Sequence, residues 1–159
     1  MAAILIVPFR RELAPAFQEL NLAWIERLFA VEEADRKVLG DPERSIILPG
    51  GQIFFAMDAG EPVGTVAMLR YSAARYELAK MAVATTNQKR GIGEMLGAAA
   101  IAFAREAGAE TVFLQTNSRL DGAIRLYERL GFRHAPDPDP PEYARSDVYM
   151  ELPISQTRS

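Results

Sequence analysis

Residues 76–96 combine a strand pattern, a polar turn and a helical pattern within one short segment. Residues 76–83 are mostly apolar, residues 84–87 are turn formers, and residues 88–93 lead into a strongly helical stretch. The first turn of a helix binds anions because its exposed N–H groups lie at the positive end of the helix dipole, and glycines let a ligand approach the main chain. The segment therefore predicts a site for a phosphate or pyrophosphate.

Two common nucleotide-binding motifs are absent from this segment. No third glycine follows Gly91 and Gly93 at the spacing of the dinucleotide fingerprint, and no Gly-Lys-Ser/Thr follows the turn. Nucleotide binding of those two kinds is therefore disfavoured.

Two motifs resemble those of the GNAT superfamily of N-acetyltransferases. The turn, Gln88-Lys89-Arg90-Gly91-Ile92-Gly93, resembles the family's Gln/Arg-x-x-Gly-x-Gly/Ala signature. A later segment, Leu126-Tyr127-Glu128-Arg129-Leu130-Gly131-Phe132, resembles its Leu-Tyr-x-x-x-Gly-Phe motif. The motifs stand in the family's order at a suitable separation, and on this resemblance the chain is identified as a member.

Hydrophobic periodicity predicts the order strand, helices, three strands, helix, strand, helix, two strands. This is a mixed α/β pattern with a largely antiparallel sheet, and it is also the order of the GNAT fold. The resemblance implies a GNAT-like acyl-CoA N-acyltransferase fold, a sheet of about seven strands flanked by about four helices. We expect residues 1–159 to form a single domain. Ser118 and Asp121 form a Ser-x-x-Asp pattern that predicts a capped start for the last helix.

Composition excludes several classes of function. The net charge of −3 argues against a nucleic-acid-binding protein that relies on general electrostatics. Cysteine is absent and there is one histidine, so thiolate catalysis is excluded, and a metal site built from several histidines is not expected.

The sequence also disfavours a membrane protein. No apolar run is long enough to span a bilayer, and the N-terminus is typical of a first strand, not of a signal peptide. We therefore expect a cytoplasmic protein. The terminal strands would support a homodimer, although no motif specifies one.

The resemblance implies acetyl-CoA as the co-substrate and identifies the residues that would hold it. Backbone amides of the turn would bind the pyrophosphate, with added charge from two cations, and the end of the preceding strand would pair with the pantetheine. Many members carry an Asn where this chain has Leu120, and Asn117 either substitutes for it or caps the following helix. The predicted cofactor site comprises Met81, Ala82, Val83, Gln88, Lys89, Arg90, Gly91, Ile92, Gly93, Glu94 and Asn117.

Glu77 is the candidate general base. It lies eleven residues before Gln88 (88 − 77), which matches the catalytic Glu of histone-acetylating members. The two-residue period of a strand predicts that Glu77 shares a face with Ala79, Met81 and Val83, where an apolar cleft would raise its pKa. The alternative role is an edge-strand charge that discourages aggregation.

Tyr127 is the candidate general acid. It matches the Tyr that several family members place near the thiolate of the departing CoA. The alternative is an aromatic packing residue.

The acceptor is expected to be a primary amine of a small molecule or peptide. An acidic patch, Glu32, Glu33 and Asp35, is either a solvated helix face or an attraction for a cationic amine. Trp24 belongs either to the core or to a substrate cleft, His134 is expected at the surface, and Tyr143 and Arg145 would border the acceptor. Two other functions stay open: a catalytically silent acyl-CoA-binding or sensory module, and an acyltransferase with a longer acyl donor.

Overall fold

A seven-stranded mixed sheet forms the centre of the molecule. The computed structural model describes residues 3–88 and 90–154. Within them the strand order is β1-β2-β3-β4-β5-β7-β6, and only the β4–β5 pair is parallel. The mixed α/β fold expected from the sequence is thus confirmed. The strands are β1 (Ile4–Pro8), β2 (Gln52–Asp58), β3 (Glu61–Arg70), β4 (Arg75–Val83), β5 (Thr111–Thr116), β6 (Arg133–His134) and β7 (Val148–Pro153).

Helices cover both faces of this sheet and build two hydrophobic cores. On one face, α1 buries Phe17 and Ile25 against β2 and β3, because a spacing of eight residues returns to the same helix face. On the other face, α3 buries Leu96 and Ala100. The helices are α1 (Ala14–Leu28), α2 (Glu33–Gly40), α3 (Ile92–Glu106) and α4 (Asp121–Arg129), with short turns at Arg11–Leu13, Glu43–Ile47 and Thr85–Asn87. No helix in residues 3–88 and 90–154 is long and apolar enough to cross a membrane.

A bulge interrupts β4 at Lys80. Lys80 has a φ of 56°, and β4 carries one residue more than β3 between the pairs Thr65↔Ala82 and Ala67↔Ala79. The extra residue reverses the side-chain alternation, so Met81 and Val83 pack into the α3 core together with residues that precede the bulge. The prediction that Glu77 shares a face with Met81 and Val83 is therefore wrong. Glu77 faces the side of the sheet opposite α3.

Strands β4 and β5 separate after three residue pairs. Their parallel pairing covers only Arg75↔Thr111, Tyr76↔Val112 and Glu77↔Phe113. Beyond Glu77, the edge of β4 that faces β5 has no partner strand within the described ranges, while its other edge stays paired with β3. The separation opens a cleft in the middle of the sheet, and this cleft contains the candidate active site.

Two glycines of α3 lie against leucine side chains from α4 and from its C-cap residue. A Cβ on Gly93 would lie 2.8 Å from Leu126 Cδ2, and one on Gly97 would lie 2.5 Å from Leu130 Cδ1. Both distances are shorter than real Cβ atoms tolerate. A side chain at Gly93 would therefore require the side chain of Leu126 to move.

The predicted cap of α4 is wrong. Leu120 occupies the N-cap position without a side-chain hydrogen bond. Ser118 instead donates from its amide and its hydroxyl to the two carboxylate oxygens of Asp147, at 2.8 Å each. The pairing of Thr116 with Val148 brings Asp147 beside Ser118, and this long-range contact replaces the local cap.

Candidate active site

The cleft between β4 and β5 brings both predicted catalytic side chains to one place. It has a volume of about 230 Å³ and is lined by Glu77 and Tyr127, among others. Residues 77–83 of β4 form one wall, so the predicted pantetheine segment, Met81, Ala82 and Val83, lies in the same cleft. The other wall comes from the end of β5 and from α4.

Burial shifts the pKa of Glu77 upward to about 7. Loss of solvation is the largest cause, and the negative charges of Glu142 and Asp137 add to it. The cations Lys80 and Arg75 oppose the shift without cancelling it. A carboxyl group with a pKa near 7 changes protonation state at neutral pH, as a general base must.

Tyr127 enters the cleft from α4. Its ring packs edge to face against Phe132, with 6.1 Å between the ring centroids, and this contact fixes its direction. Burial raises the pKa of its hydroxyl to about 12, so the group keeps its proton at neutral pH. The side chain therefore packs against the α3 core and also lines the cleft.

The turn before α3 has the geometry of an anion site. Gly91 is the N-cap of α3 and has a φ of 77°, in the left-handed region that favours glycine. No side chain in the described part of the chain caps the helix, and its first backbone bond is donated by Met95 to Gly91. The N–H groups of the three residues before Met95 therefore have no acceptor within the helix. Gln88 orders the turn by donating from Nε2 to the carbonyl of Val83 at 3.3 Å.

A groove of about 490 Å³ runs from this turn along α4. Gln88, Gly91, Ile92, Gly93 and Glu94 line it from the α3 side. Arg90 does not line it, because its guanidinium pairs with Asp58 at 2.8 Å. Lys89 lies outside the described residues.

Two arginines of α4 line the same groove and were missed in the sequence. Arg129 pairs with Glu94 across the groove at 2.6 Å. Arg125 is exposed and forms no ion pair with any residue in the described part of the chain. Arg125 and Arg129 are four residues apart, which places both on one face of a helix. This spacing is the sequence signal from which the pair could have been predicted.

Asn117 lines the cleft, but its side-chain amide is already hydrogen-bonded within the protein. Its Nδ2 donates to the carbonyl of Arg145 at 2.7 Å, and its Oδ1 accepts from the amide of Arg119 at 2.8 Å. It is not the N-cap of α4. In this structure Asn117 joins the end of β5 to the segment before β7.

Neither interpretation of the acidic patch fits Asp35. Its carboxylate is fully buried and binds Lys80 and Arg145, so it neither faces solvent nor is available to an amine. Glu32 accepts a hydrogen bond from the amide of Ala144, and only Glu33 is a surface charge, paired with Arg36.

Four remaining aromatic and basic side chains divide between cleft and surface. Trp24, Tyr143 and Arg145 line the cleft. Trp24 also packs against the core on the α1 side, so it belongs both to the core and to the lining of the cleft. His134 lies at the surface, with a half-exposed side chain 3.8 Å from Glu128, and does not line the cleft.

Comparisons with known proteins agree with this geometry. A model of the acetyltransferase (GNAT) family matches residues 9–132. A Bacillus subtilis (strain 168) protein named "Uncharacterized N-acetyltransferase YvbK" is 30% identical over 102 residues, which are 62% of this chain. The match spans 66% of the length of that relative.

Solved structures share the whole fold. A GNAT family acetyltransferase from Staphylococcus aureus Mu50 superposes with a TM-score of 0.88 at 22% identity, covering 96% of this chain and 100% of that one. A GNAT family acetyltransferase from Elizabethkingia anophelis, solved with acetyl-CoA bound, gives a TM-score of 0.72 at 19% identity, covering 95% and 98%. At these identities the likeness establishes the fold.

Proposed function

The chain belongs to the GNAT family of acetyltransferases, and we propose that it transfers the acetyl group of acetyl-CoA to a primary amine of a small molecule or peptide. One observation carries the proposal: the cleft that contains Glu77 and Tyr127 adjoins the groove at the start of α3, because Val83, Gln88 and Ala123 line both. A thioester that reaches from the groove into the cleft would meet both side chains.

The groove suits the diphosphate end of acetyl-CoA. The free amides of the first turn of α3 and the cation Arg125 supply positive charge on its two sides. The unpaired edge of β4 at residues 81–83 then offers main-chain groups to the amide-containing pantetheine arm. In this arrangement the acetyl thioester lies at the point where β4 and β5 separate.

Glu77 is proposed to take a proton from the ammonium form of the acceptor, directly or through a water. The neutral amine attacks the thioester carbonyl carbon, a C–N bond forms, and the C–S bond breaks with its electron pair leaving on sulfur. The nitrogen then loses its second proton to solvent, which leaves the neutral amide. Tyr127 donates a hydrogen bond to that sulfur. An ordinary thiol has a pKa of about 8.5, below the value of about 12 for Tyr127, so full proton transfer from the phenol is uphill. The CoA thiolate then takes its proton from solvent.

The test is an assay of CoA release with four acceptor classes: spermidine, kanamycin, a lysine-containing peptide and free α-amino acids. We expect amine-dependent release of CoA and a product heavier by one acetyl group. Saturable binding of acetyl-CoA with no release of CoA in the presence of any of the four acceptors would contradict the proposal and support a silent binding module.

The variant Tyr127→Phe is expected to lower kcat about tenfold, because a single hydrogen bond to a charged group contributes about 1.5–3 kcal/mol and solvent can partly replace it. The dissociation constant of acetyl-CoA, measured by calorimetry, should change less than twofold. Tyr76→Phe is the matched control, since Tyr76 is buried in the α3 core and does not line the cleft. Equal effects of the two variants on kcat would reduce Tyr127 to a packing residue.

The variant Arg125→Gln is expected to weaken binding of acetyl-CoA about three- to tenfold, because one exposed cation near a phosphate contributes about 0.5–1 kcal/mol and up to ~1.5 kcal/mol with a hydrogen bond. The loss should shrink at high salt, since exposed charges are screened. Calorimetry at low and high salt measures both effects. Arg44→Gln is the control, because Arg44 is exposed and lines neither the cleft nor the groove. An identical loss from Arg44→Gln would show that only net charge matters.

A further inference from the structure

A buried ionic network lies beside the cleft and has no part in the chemistry above. Asp35 accepts from Lys80 Nζ at 2.7 Å and from the two terminal nitrogens of Arg145 at 2.8 and 2.6 Å. Lys80 also donates to the hydroxyl of Tyr143 at 3.0 Å. The side chains of Asp35, Lys80 and Arg145 are only 0%, 6% and 11% exposed.

The network joins three separate parts of the chain. Asp35 lies in the first turn of α2, Lys80 is the bulge residue of β4, and Tyr143 and Arg145 belong to residues 135–147, the proline-rich segment between β6 and β7. Glu32 completes the junction by accepting from the amide of Ala144 at 3.1 Å. This segment has no helix or strand of its own. Backbone hydrogen bonds from Ala135 to Tyr149 and from Asp147 to Thr116 hold its two ends, and Gln115 and Tyr71 bind Asp137 and Asp139. The part around Arg145 depends on side-chain contacts, including those of Asp35.

Asp35 is the centre of the junction. Burial alone would raise the pKa of its carboxyl group, but the hydrogen bonds from Arg145 and Lys80 hold that pKa well below its ordinary value. The carboxylate is therefore charged at all physiological pH values. It neutralises one of the two cations, and Glu32, 3.5 Å from Arg145, offsets the other.

The network touches only one of the two cavities. Lys80, Tyr143 and Arg145 line the cleft that holds Glu77, and none of them lines the groove at the start of α3. A change in the network therefore alters the acceptor side of the cleft and leaves the diphosphate site intact.

We propose that Asp35 is a positioning residue for the acceptor half of the cleft. Through Arg145 it holds residues 135–147 against the sheet, and through Lys80 it fixes the bulge of β4 next to Glu77. The role in acceptor binding rests on the proposed acetyl transfer, whereas the anchoring of residues 135–147 does not.

The first experiment is hydrogen exchange on the full chain, without any ligand, for Asp35→Asn and Arg145→Lys. Within residues 135–147, we expect the hydrogen-bonded amides of Ala144 and Ser146, which lie next to Arg145, to exchange at least tenfold faster in both variants. Arg145→Lys keeps the positive charge but loses the bidentate hydrogen bond to Asp35. It provides the test if Asp35→Asn does not fold. Unchanged exchange in residues 135–147 in the folded variants would overturn the proposal.

The second experiment separates acceptor binding from general damage. With whichever of the four panel amines the wild-type protein acetylates, Arg145→Lys should raise KM for the amine about tenfold and change the dissociation constant of acetyl-CoA less than twofold. Arg11→Gln, which breaks the exposed ion pair with Glu43, should change neither constant. Equal losses in amine and acetyl-CoA binding, or an unchanged KM for the amine, would overturn the positioning role.

The two proposals fail in different ways. If the wild-type protein acetylates no amine in the panel, the proposed function fails, and hydrogen exchange still decides whether Asp35 anchors residues 135–147. If acetylation proceeds but Arg145→Lys leaves KM for the amine unchanged, only the positioning role fails.

Discussion

Replacing Glu77 with Gln is expected to lower kcat by about 10²–10⁴-fold, the usual contribution of a general base. The substituted amide would keep the size and polarity of the side chain but would accept no proton at neutral pH. The dissociation constant of acetyl-CoA should stay within twofold, because Glu77 does not line the groove at the start of α3. A discontinuous assay of the product measures kcat, and calorimetry measures the dissociation constant on the same preparation.

The pH profile gives a sharper form of the same prediction. If Glu77 removes a proton from an ammonium, the reactive enzyme has Glu77 charged and the amine protonated. The logarithm of kcat/KM for the amine should then rise with unit slope up to about pH 7, the pKa of Glu77, and stay level until the amine titrates near pH ~10. In Glu77→Gln only the free amine reacts, so the rise should continue through pH 7 without a break.

Stability supplies the control for this variant. The pKa of Glu77 is raised in the folded protein, so the folded state binds its proton more tightly than the unfolded chain does. The contribution of Glu77 to stability must therefore fall as pH increases between the ordinary pKa of 4.5 and about 7. Since Gln cannot ionise, Glu77→Gln should melt higher than the wild-type protein at pH 8. A lower melting temperature at pH 8 would show that lost activity reflects a damaged fold.

Replacing Gly91 with Glu is expected to weaken binding of acetyl-CoA at least about 100-fold, equivalent to ~2.7 kcal/mol. Two effects act together. A side chain at a φ of 77° strains the turn that presents the free amides, and a carboxylate at the N-cap would accept from those amides and repel a diphosphate. Calorimetric titration with acetyl-CoA measures the loss.

Gly60→Glu is the matched control. Gly60, in the turn between β2 and β3, has a φ of 85°, and a Cβ added to either glycine would meet no atom of the described residues within 4 Å. Both variants therefore carry the same kind of backbone strain and the same added charge, and both should lose similar stability. Only Gly91→Glu should lose acetyl-CoA binding. Similar losses of binding in both variants would mean that the turn before α3 is not the diphosphate site.

Local patterns predicted the elements of the fold well. The strand Thr111–Thr116 coincides with a run of β-branched and apolar residues, and Gly108 and Gly131 end their helices with the positive φ values that favour glycine at that position. These features depend on residues close together in the chain. The mixed sheet followed from the order of such elements and from two short motifs.

The errors came from contacts between distant residues. Lys80 adopts a left-handed conformation and reverses the alternation of β4, yet nothing in its neighbours marks it as a bulge. Asp35 looked like a surface charge because Lys80 and Arg145 lie 45 and 110 positions away in the sequence. The predicted cap at Ser118 failed for the same reason, since its partner Asp147 directly precedes a strand that only the folded sheet brings near.

The early separation of β4 and β5 also determines where donor selectivity can reside. Every acyl-CoA carries the same pantetheine arm, and in the proposed arrangement the open edge of β4 would offer it only peptide groups at fixed spacing. Such an edge would bind short and long acyl thioesters equally. Discrimination between an acetyl group and a longer chain would then fall to the side chains at the closed end of the separation, around Glu77 and Leu78, where the two strands meet. Enlarging or shrinking that end of the cleft would change which acyl chain lengths the protein accepts and would leave its affinity for CoA unchanged.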